Sequence, residues 1–225
     1  MRRPVTRALK RTLDIVAAAL GLIVLSPLIL LVALALRLRM GSPVLFRQQR
    51  TGYRGRRFTI YKFRTMSNQY DASGRLLPDR ARVTRLGRFL RALSLDEIPQ
   101  LVNVLKGDMS IVGPRPWIPK YDHWYSPDER RRFEVRPGIT GLAQIKGRNT
   151  VSWTLRLSYD IEYVERLSLW LDLKILLATV KIVLTAHGVA EDQRQLMDDL
   201  DDERGEALTD EMILTPEERK LLRAG

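Results

Sequence analysis

Residues 13–36 read LDIVAAALGLIVLSPLILLVALAL, and this apolar run decides the fold of the chain. Asp14 is its only formal charge. At about 1.5 Å per residue, a straight helix of this length would cross a hydrocarbon layer of roughly 30 Å. The run therefore predicts a membrane helix, which we place within residues 1–40.

The centre and the flanks of the run predict a helix that enters the bilayer, bends and returns. Ser26 and Pro27 lie near the middle, where proline removes a backbone donor and clashes with the preceding turn. Basic residues lie on both flanks, at positions 2, 3, 7, 10 and 11 and at positions 37, 39, 47 and 50. Because basic flanks favour the cytoplasmic side, this re-entrant helix is favoured over a straight span with a mild proline kink. A cleaved signal peptide is disfavoured, since no small-residue cleavage site precedes the basic stretch after Leu36.

Charge is distributed unevenly along the 225 residues, whose net charge is +12. Residues 190–225 contain 12 acidic and 5 basic side chains, whereas residues 1–189 carry a net charge of +19. A body this basic predicts a phosphate-bearing ligand, which could be a substrate, an anionic lipid or a nucleic acid. There is no cysteine, which excludes disulfides and thiol nucleophiles. We expect a catalytic domain over residues 41–189, forming one unit with the membrane helix, and an acidic tail over residues 190–225.

The segment after the membrane helix predicts a small β-hairpin. Two β-prone runs, residues 44–47 and 58–63, lie on either side of Gly52 and Gly55. Two segments that are rich in glycine and proline are expected to be irregular loops: residues 107–119 and 136–149.

Helical spacing of apolar residues dominates the rest of the body. Residues 82–105 predict a helix with a break near Ser94, residues 127–133 a short charged helix, and residues 152–186 a longer helical stretch. Within this last stretch, residues 167–177 fit either an amphipathic helix at a membrane interface or packing into the core. The fold class is thus mainly α with a small hairpin (α+β), with interfacial helices around a cytosolic site.

The central motif, residues 91–100, reads RALSLDEIPQ. Ser94 followed three residues later by Glu97 fits a capping box, with Ser94 as the N-cap of a helix. The helix dipole alone favours acidic residues such as Asp96 and Glu97 in a first turn, so helix stability explains them too. A helix start also attracts phosphate, and a carboxylate there stays ionised. The motif therefore fits both a helix cap and a nucleophile.

Phosphoryl transfer needs cations around the transferred group, and the chain supplies them near shaped loops. The candidates are Lys62 and Arg64 after the hairpin, Arg91 before the acidic pair, Arg115 in GPRP and Arg148 in GRN. No other catalytic set competes, because neither a Walker A motif nor a GxSxG elbow occurs. The two histidines, His123 and His187, stand in no metal-ligand pattern.

Five segments within residues 10–180 carry a family resemblance. In order they read KRTLDIVAAALGLIVLSP, FRQQRTGYRGRRFTIYKFRTM, SLDEIPQLVNVLKGDMSIVGPRP, VRPGITGLAQIKGRN and YDIEYVERLSLWLDLKI. Together they resemble the monotopic phosphoglycosyl transferases, also called bacterial sugar transferases, of the small type that consists of the catalytic domain alone. The acidic tail lies outside this resemblance.

The resemblance implies a two-step reaction. Asp96 attacks the sugar-proximal phosphorus of a UDP-sugar and releases UMP, and polyprenyl phosphate (undecaprenyl phosphate in bacteria) then takes the sugar-phosphate. This is the first membrane step of glycoconjugate assembly, including polysaccharides. It requires Mg²⁺, with Asp96 and Glu97 as the expected ligands; Glu97 is implied to bind the metal or to activate the lipid phosphate.

The resemblance also implies where the other candidates act. Lys62, Arg91 and Arg115 match basic positions around the diphosphate, whereas Arg148, on the nucleotide side, and Asp172 are secondary candidates. Ser26-Pro27 matches the family's helix-breaking pair. The expected location is the cytoplasmic face of the bacterial inner membrane, with UDP-sugar, polyprenyl phosphate and membrane lipids as partners and no nucleic acid; a homo-oligomer stays open.

Two alternatives differ in chemistry. A non-catalytic basic membrane protein that binds anionic lipid or nucleic acid explains the charge, but not the acidic pair or the shaped loops. An enzyme that transfers a sugar without its phosphate would release UDP instead of UMP.

Overall fold

A computed structural model of the chain describes residues 2–147, 152–185 and 200. This part of the chain is mainly helical with two small two-stranded sheets, which confirms the predicted α+β class. The helices are α1 (Arg2–Val24), α2 (Ser26–Met40), α3 (Asp79–Arg82), α4 (Arg85–Ala92), α5 (Gln100–Lys106), α6 (Leu142–Lys146), α7 (Trp153–Arg166) and α8 (Leu169–Leu184). The strands are β1 (Leu45–Thr51), β2 (Arg57–Phe63), β3 (Ser110–Val112) and β4 (Gly138–Thr140). Short 3-10 helices lie at Tyr53–Gly55, Leu95–Glu97, Pro119–Tyr121 and Glu129–Glu134.

The apolar run forms two helices, α1 and α2, bent by 61° at Leu25. In a continuous helix the N–H of residue 27 would bind the carbonyl of Ile23, but Pro27 has no N–H. The Ser26 hydroxyl donates to that carbonyl instead, at 2.7 Å. The predicted break is confirmed, and Ser26 satisfies the acceptor that Pro27 leaves open. In the described ranges no single helix is long and apolar enough to cross a membrane, whereas this bent pair meets the length and composition required.

One side of the bent pair packs on the domain and the other side is open. Ala18 is buried with Val104 and Met109, and Leu36 is buried with Phe63. The large apolar side chains of the pair that stay exposed are Val5, Leu9, Leu13, Ile15, Val16, Leu20, Ile23, Val24, Leu30, Leu31, Leu34 and Leu38. A large number of exposed apolar side chains on one helix pair indicates contact with a membrane or a partner.

Polar contacts fix α1 to the rest of the protein. Asp14, the only charge of the apolar run, accepts a hydrogen bond from the backbone N–H of Ile111 at 3.0 Å. Lys10 donates to Asp172 of α8 at 2.8 Å, and the Tyr163 hydroxyl donates to the other oxygen of Asp172 at 2.8 Å. The charges in the N-terminal half of α1 therefore join this helix to β3 and α8.

The predicted hairpin is confirmed. β1 and β2 pair antiparallel from Leu45↔Phe63 to Thr51↔Arg57. Arg54 and Gly55 turn the chain with φ values of 55° and 72°. Isolated hairpins are marginal, and this one is stabilised by burying Ile60 and Phe63 against the helices.

The prediction of irregular loops in the two glycine- and proline-rich segments is wrong in part. β3 and β4 pair in parallel, with Ser110 opposite Gly138 and Val112 opposite Thr140, and α6 follows β4 directly. Strands of three residues are too short to show an alternating pattern, so their pairing is set by tertiary contacts. The predicted charged helix near residue 130 is present as the 3-10 helix Glu129–Glu134.

The last helical stretch consists of two helices, because the chain leaves the helical conformation between Arg166 and Leu169. Ser168 caps the second helix, α8, by accepting a hydrogen bond from the N–H of Leu171 at 3.2 Å. Packing into the core holds for one face of α8, and a membrane interface for the other face stays a prediction. Asp172 and Ile175 are buried, and a second face exposes Trp170, Leu173, Leu177, Val180 and Leu184. The acidic tail lies outside the described residues except for Leu200, which is buried in the cluster of Tyr121, Tyr125, Trp153 and Leu157.

Gly87 sets how closely α4 crosses the end of the hairpin. A Cβ atom at this position would lie 2.0 Å from the carbonyl oxygen of Thr65. We expect Gly87→Ala to lower the free energy of unfolding by about 1–3 kcal/mol, because backbone has to move to make room. Denaturant unfolding measures this; Arg85→Ala, exposed on the same helix, is the control and should change little. Equal stability of Gly87→Ala and wild type would contradict the close crossing.

Candidate active site

The acidic pair lies in the 3-10 helix Leu95–Glu97, between α4 and α5. Ser94 has φ 56° and ψ 19°, and its side chain makes no capping hydrogen bond. The predicted capping box is therefore wrong. Pro99 separates the pair from α5, so the argument from the dipole of an α-helix does not apply to Asp96 and Glu97 either. A helix cap contributes only about 1 kcal/mol to stability. The Glu97 side chain instead makes stronger ionic contacts with Lys62 and Arg115.

Two cations share one oxygen of Glu97. Lys62 donates to Oε1 from β2, and Arg115 donates to the same atom at 3.0 Å from the loop after β3. Burial alone would raise the pKa of Glu97, but Lys62 and Arg115 outweigh burial and hold this pKa well below its usual range. Glu97 is therefore a carboxylate at neutral pH although it is largely enclosed.

The pKa values of Lys62 and Arg115 shift in opposite directions. Burial lowers the pKa of the Lys62 ammonium, and Glu97 offsets part of that effect. Glu97 raises the pKa of Arg115. A lysine with a lowered pKa can lose its proton at a lower pH than an exposed lysine, whereas Arg115 stays charged.

Asp96 completes the cluster. It is 8% exposed, and its charge raises the pKa values of both Lys62 and Arg115, which places it within electrostatic range of both. The formal charges of Asp96, Glu97, Lys62 and Arg115 cancel. We refer to these four side chains as the carboxylate–cation cluster.

Asn103 holds the strand that carries Lys62 next to the helix that follows the acidic pair. This side chain on α5 is fully buried. Its Oδ1 accepts from the N–H of Tyr61 at 3.1 Å, and its Nδ2 donates to the carbonyl of Thr59 at 2.7 Å. The amide thus makes the two backbone hydrogen bonds that a neighbouring strand would otherwise make with β2. Sequence reasoning missed Asn103, although a lone asparagine in the apolar segment LVNVLK was a signal for a buried polar contact.

Lys62 belongs to the cluster but lies within β2 rather than in a loop. The other predicted site residues lie outside the cluster or are not described. Arg64 donates to the carbonyls of Met40 and Ser42, at the end of α2. Arg91 donates to the hydroxyl of Thr65 at 2.9 Å.

Arg148 lies outside the described residues. Asp172 belongs to the contact between α1 and α8 described above, not to the carboxylate–cation cluster. The roles of Arg64, Arg91, Arg148 and Asp172 as substrate contacts stay predictions.

The carboxylates fit a divalent cation only if a ligand completes its coordination. Across the part of the chain that the structure describes, no group of three or more His, Cys, Asp or Glu side chains could hold a metal. Lys62 and Arg115 both contact Oε1 of Glu97 and leave Oε2 out of these two contacts. Mg²⁺ is commonly held by one or two protein carboxylates together with substrate phosphates and water. Asp96 and Glu97 match that requirement.

The fold and the site define an α+β protein with an enclosed carboxylate–cation cluster beside a broken apolar helix pair. The model of the bacterial sugar transferase family matches residues 5–186, so the chain belongs to that family. The family resemblance and the prediction of a transferase are confirmed.

Individual relatives are similar over most of this chain. It is 51% identical over 183 residues to the uncharacterized sugar transferase EpsL of Bacillus subtilis, covering 81% of this chain and 91% of the relative. It is 49% identical over 189 residues to the UDP-glucose:undecaprenyl-phosphate glucose-1-phosphate transferase of Caulobacter vibrioides, covering 80% and 71%. It is 42% identical over 200 residues to the undecaprenyl-phosphate galactose phosphotransferase of Salmonella typhimurium, covering 81% and 42%.

The lowered pKa of Glu97 predicts how stability depends on pH. Ionised Glu97 contributes fully above its ordinary pKa of 4.5, and the contribution is lost as the pH falls further toward the folded-state value. At pH 7 we expect Glu97→Gln to be about 3–5 kcal/mol less stable than wild type, because two largely enclosed cations lose their partner. Below pH 4.5 this difference should shrink. Thermal unfolding across this range, with the exposed Glu165→Gln as control, measures it, and a pH-independent difference would contradict the ionic account.

Proposed function

We propose that the protein transfers a sugar-1-phosphate from a UDP-sugar to a polyprenyl phosphate such as undecaprenyl phosphate, with Asp96 as the nucleophile. The carboxylate–cation cluster is the observation that carries this proposal. It combines a carboxylate with the cations that phosphoryl transfer needs. The named activities of the Caulobacter and Salmonella relatives support the same donor and acceptor class.

The chemistry consists of two displacements at one phosphorus atom. An Asp96 carboxylate oxygen forms a bond to the sugar-proximal phosphorus, the bond from that phosphorus to the bridging oxygen breaks, and UMP leaves with the electron pair. The sugar-phosphate is then held as an acyl phosphate. A phosphate oxygen of the lipid acceptor attacks the same phosphorus, and Asp96 leaves as a carboxylate. Because Asp96 is enclosed, bulk water has little access to the intermediate.

The charges of the cluster support a requirement for Mg²⁺. The cluster is neutral before substrate binds, so a doubly charged diphosphate would leave excess negative charge in an enclosed site. Mg²⁺ held by Asp96 and Glu97 would neutralise that charge and polarise the phosphate. Lys62 and Arg115 now contact Glu97 Oε1. We expect the phosphate oxygens of the donor to compete with Oε1 for these two cations.

The apolar surfaces support a monotopic arrangement at the cytoplasmic face of the bacterial inner membrane. We infer that α1 and α2 enter and leave the bilayer on the same side, bending at Ser26-Pro27. The exposed face of α8, and Phe89 and Leu93 of the strongly amphipathic segment that precedes the acidic pair, then lie at the membrane interface. In this arrangement the cluster lies near the headgroups, where the phosphate of a lipid acceptor is found.

The proposed intermediate predicts a covalent adduct in the absence of acceptor. Mixing the protein with a UDP-sugar and Mg²⁺ should add the mass of one sugar-phosphate, located on Asp96 by peptide mapping. Asp96→Asn should form no adduct and lose at least about 1,000-fold in turnover, because the amide cannot be the nucleophile. Asp79→Asn, a change at an exposed aspartate, is the control. Full turnover of Asp96→Asn would exclude the assignment.

Product analysis separates this reaction from its closest rival. Phosphate-retaining transfer releases UMP, and plain sugar transfer releases UDP. A preparation that binds anionic vesicles but releases neither nucleotide from any UDP-sugar would instead support the non-catalytic alternative.

The proposed topology predicts the accessibility of introduced cysteines, since the chain has none. Arg7→Cys and Arg39→Cys, at opposite ends of the helix pair, should both react with a membrane-impermeant maleimide from the cytoplasmic side. Leu30→Cys, in the apolar surface, should react only after detergent is added. Labelling of positions 7 and 39 from opposite sides would show a straight span.

A further inference from the structure

Arg132 is a buried charge that the proposed chemistry does not use. It lies in the 3-10 helix Glu129–Glu134, and its side chain is 2% exposed. Its Nε and Nη2 atoms donate to one oxygen of Asp160 in α7, at 3.1 Å and 2.7 Å. A buried ion pair adds little net stability compared with apolar packing, so this geometry calls for another explanation.

The remaining contacts of Arg132 lead to the carboxylate–cation cluster. Nη2 also donates to the main-chain carbonyl of Arg115 at 2.6 Å, and Nη1 donates to the hydroxyl of Tyr125 at 3.1 Å. Arg115 is the residue whose guanidinium holds Glu97. The buried charge thus binds the backbone of the residue whose side chain faces the acidic pair.

The loop that carries Arg115 depends on partners of this kind. Pro114 and Pro116, on either side of Arg115, have no N–H, so the loop cannot be held through donors at these positions. Four consecutive carbonyls are each bound by a donor from another part of the chain. The pairs are Pro114 with the N–H of Gly138 (2.9 Å), Arg115 with Arg132 (2.6 Å), Pro116 with Arg50 (3.4 Å) and Trp117 with the N–H of Thr51 (3.1 Å). The contact from Arg132 is the shortest and comes from a fully buried charge.

We propose that Arg132 is a positioning residue that directs the guanidinium of Arg115 toward Glu97 and the donor diphosphate. Asp160 and Tyr125 fix the planar fork of Arg132, and the fork fixes the Arg115 carbonyl. Lysine cannot replace this arrangement, because three acceptors at set angles require the guanidinium fork. The catalytic consequence rests on the proposed function, whereas the contact between Arg115 and Glu97 does not.

The test is a double-mutant cycle on the full-length protein, read as kcat/KM for UMP release. Arg132→Lys keeps the charge beside Asp160 and should lower kcat/KM about 100-fold, the scale expected for misplacing a catalytic group by about 1 Å. In an Arg115→Ala background the same change should have almost no further effect, because it acts through Arg115. Losses that multiply across the two sites would overturn the proposal.

Two further variants keep the test decisive. Tyr125→Phe removes one hydrogen bond to Arg132 and keeps the ring; it should lower kcat/KM about 5-fold, again only when Arg115 is present. If Arg132→Lys does not fold, Tyr125→Phe takes its place in the double-mutant cycle. Arg131→Lys, at the neighbouring half-buried arginine, is the matched control and should behave as wild type.

A readout without turnover separates this inference from the proposed function. Crystal structures of wild type and Arg132→Lys should differ in the position of the Arg115 guanidinium, which should move away from Glu97 Oε1 in the variant because its backbone carbonyl is no longer held. An unmoved Arg115 guanidinium would overturn the positioning role whatever reaction the protein performs. Wild-type protein that releases no UMP would overturn the proposed function alone.

Discussion

Oxygen Oε1 of Glu97, shared by Lys62 and Arg115, is the contact on which the site depends. It joins the hairpin, the 3-10 helix of the acidic pair and the loop after β3, which are far apart in sequence. A largely enclosed carboxylate is strongly destabilising without its cations, so none of these segments can move away alone. The contact that joins these three segments also holds two cations within electrostatic range of Asp96. In the proposed reaction these cations leave Glu97 in part when a diphosphate arrives, and Mg²⁺ would neutralise the negative charge that this exchange leaves on the carboxylates.

Buried polar side chains bind the backbone segments that carry the two cations of the cluster. Asn103 fixes the strand of Lys62 through two backbone contacts, and Arg132 fixes the backbone of Arg115. Helix α1 joins the same framework, because Asp14 accepts a hydrogen bond from the N–H of Ile111 in the strand that leads to Arg115. A rigid framework of this kind suits phosphoryl transfer, where catalysis consists mainly of positioning and charge stabilisation. It also connects the apolar helix pair to the site through a short run of hydrogen-bonded backbone.

Local chemistry made some elements predictable from the sequence. Pro27 cannot continue a helix, and glycines near Arg54 allow a tight turn, so the bend and the hairpin followed from single residues. The pairing of β3 with β4 did not, because three-residue strands contain no readable period and their partners lie 28 positions apart in the register Ser110↔Gly138. The capping box failed because Ser94 adopts a left-handed conformation and Glu97 finds two cations that the local sequence does not show. Among the basic candidates, Lys62 and Arg115 reach the pair while Arg64 binds the end of α2, and this difference depends on strand register and on the loop path.

The most direct test of the account is the amount of UMP released before any acceptor is present. Rapid-quench experiments would use detergent-solubilised protein, Mg²⁺ and the UDP-glucose, UDP-galactose or UDP-N-acetylgalactosamine that gives turnover. If an enclosed carboxylate captures the sugar-phosphate first, UMP should appear in a rapid burst of about one equivalent per active protein and then stop until polyprenyl phosphate is added. UMP that appears only after the lipid is added would show that donor and acceptor react directly, and it would contradict the account.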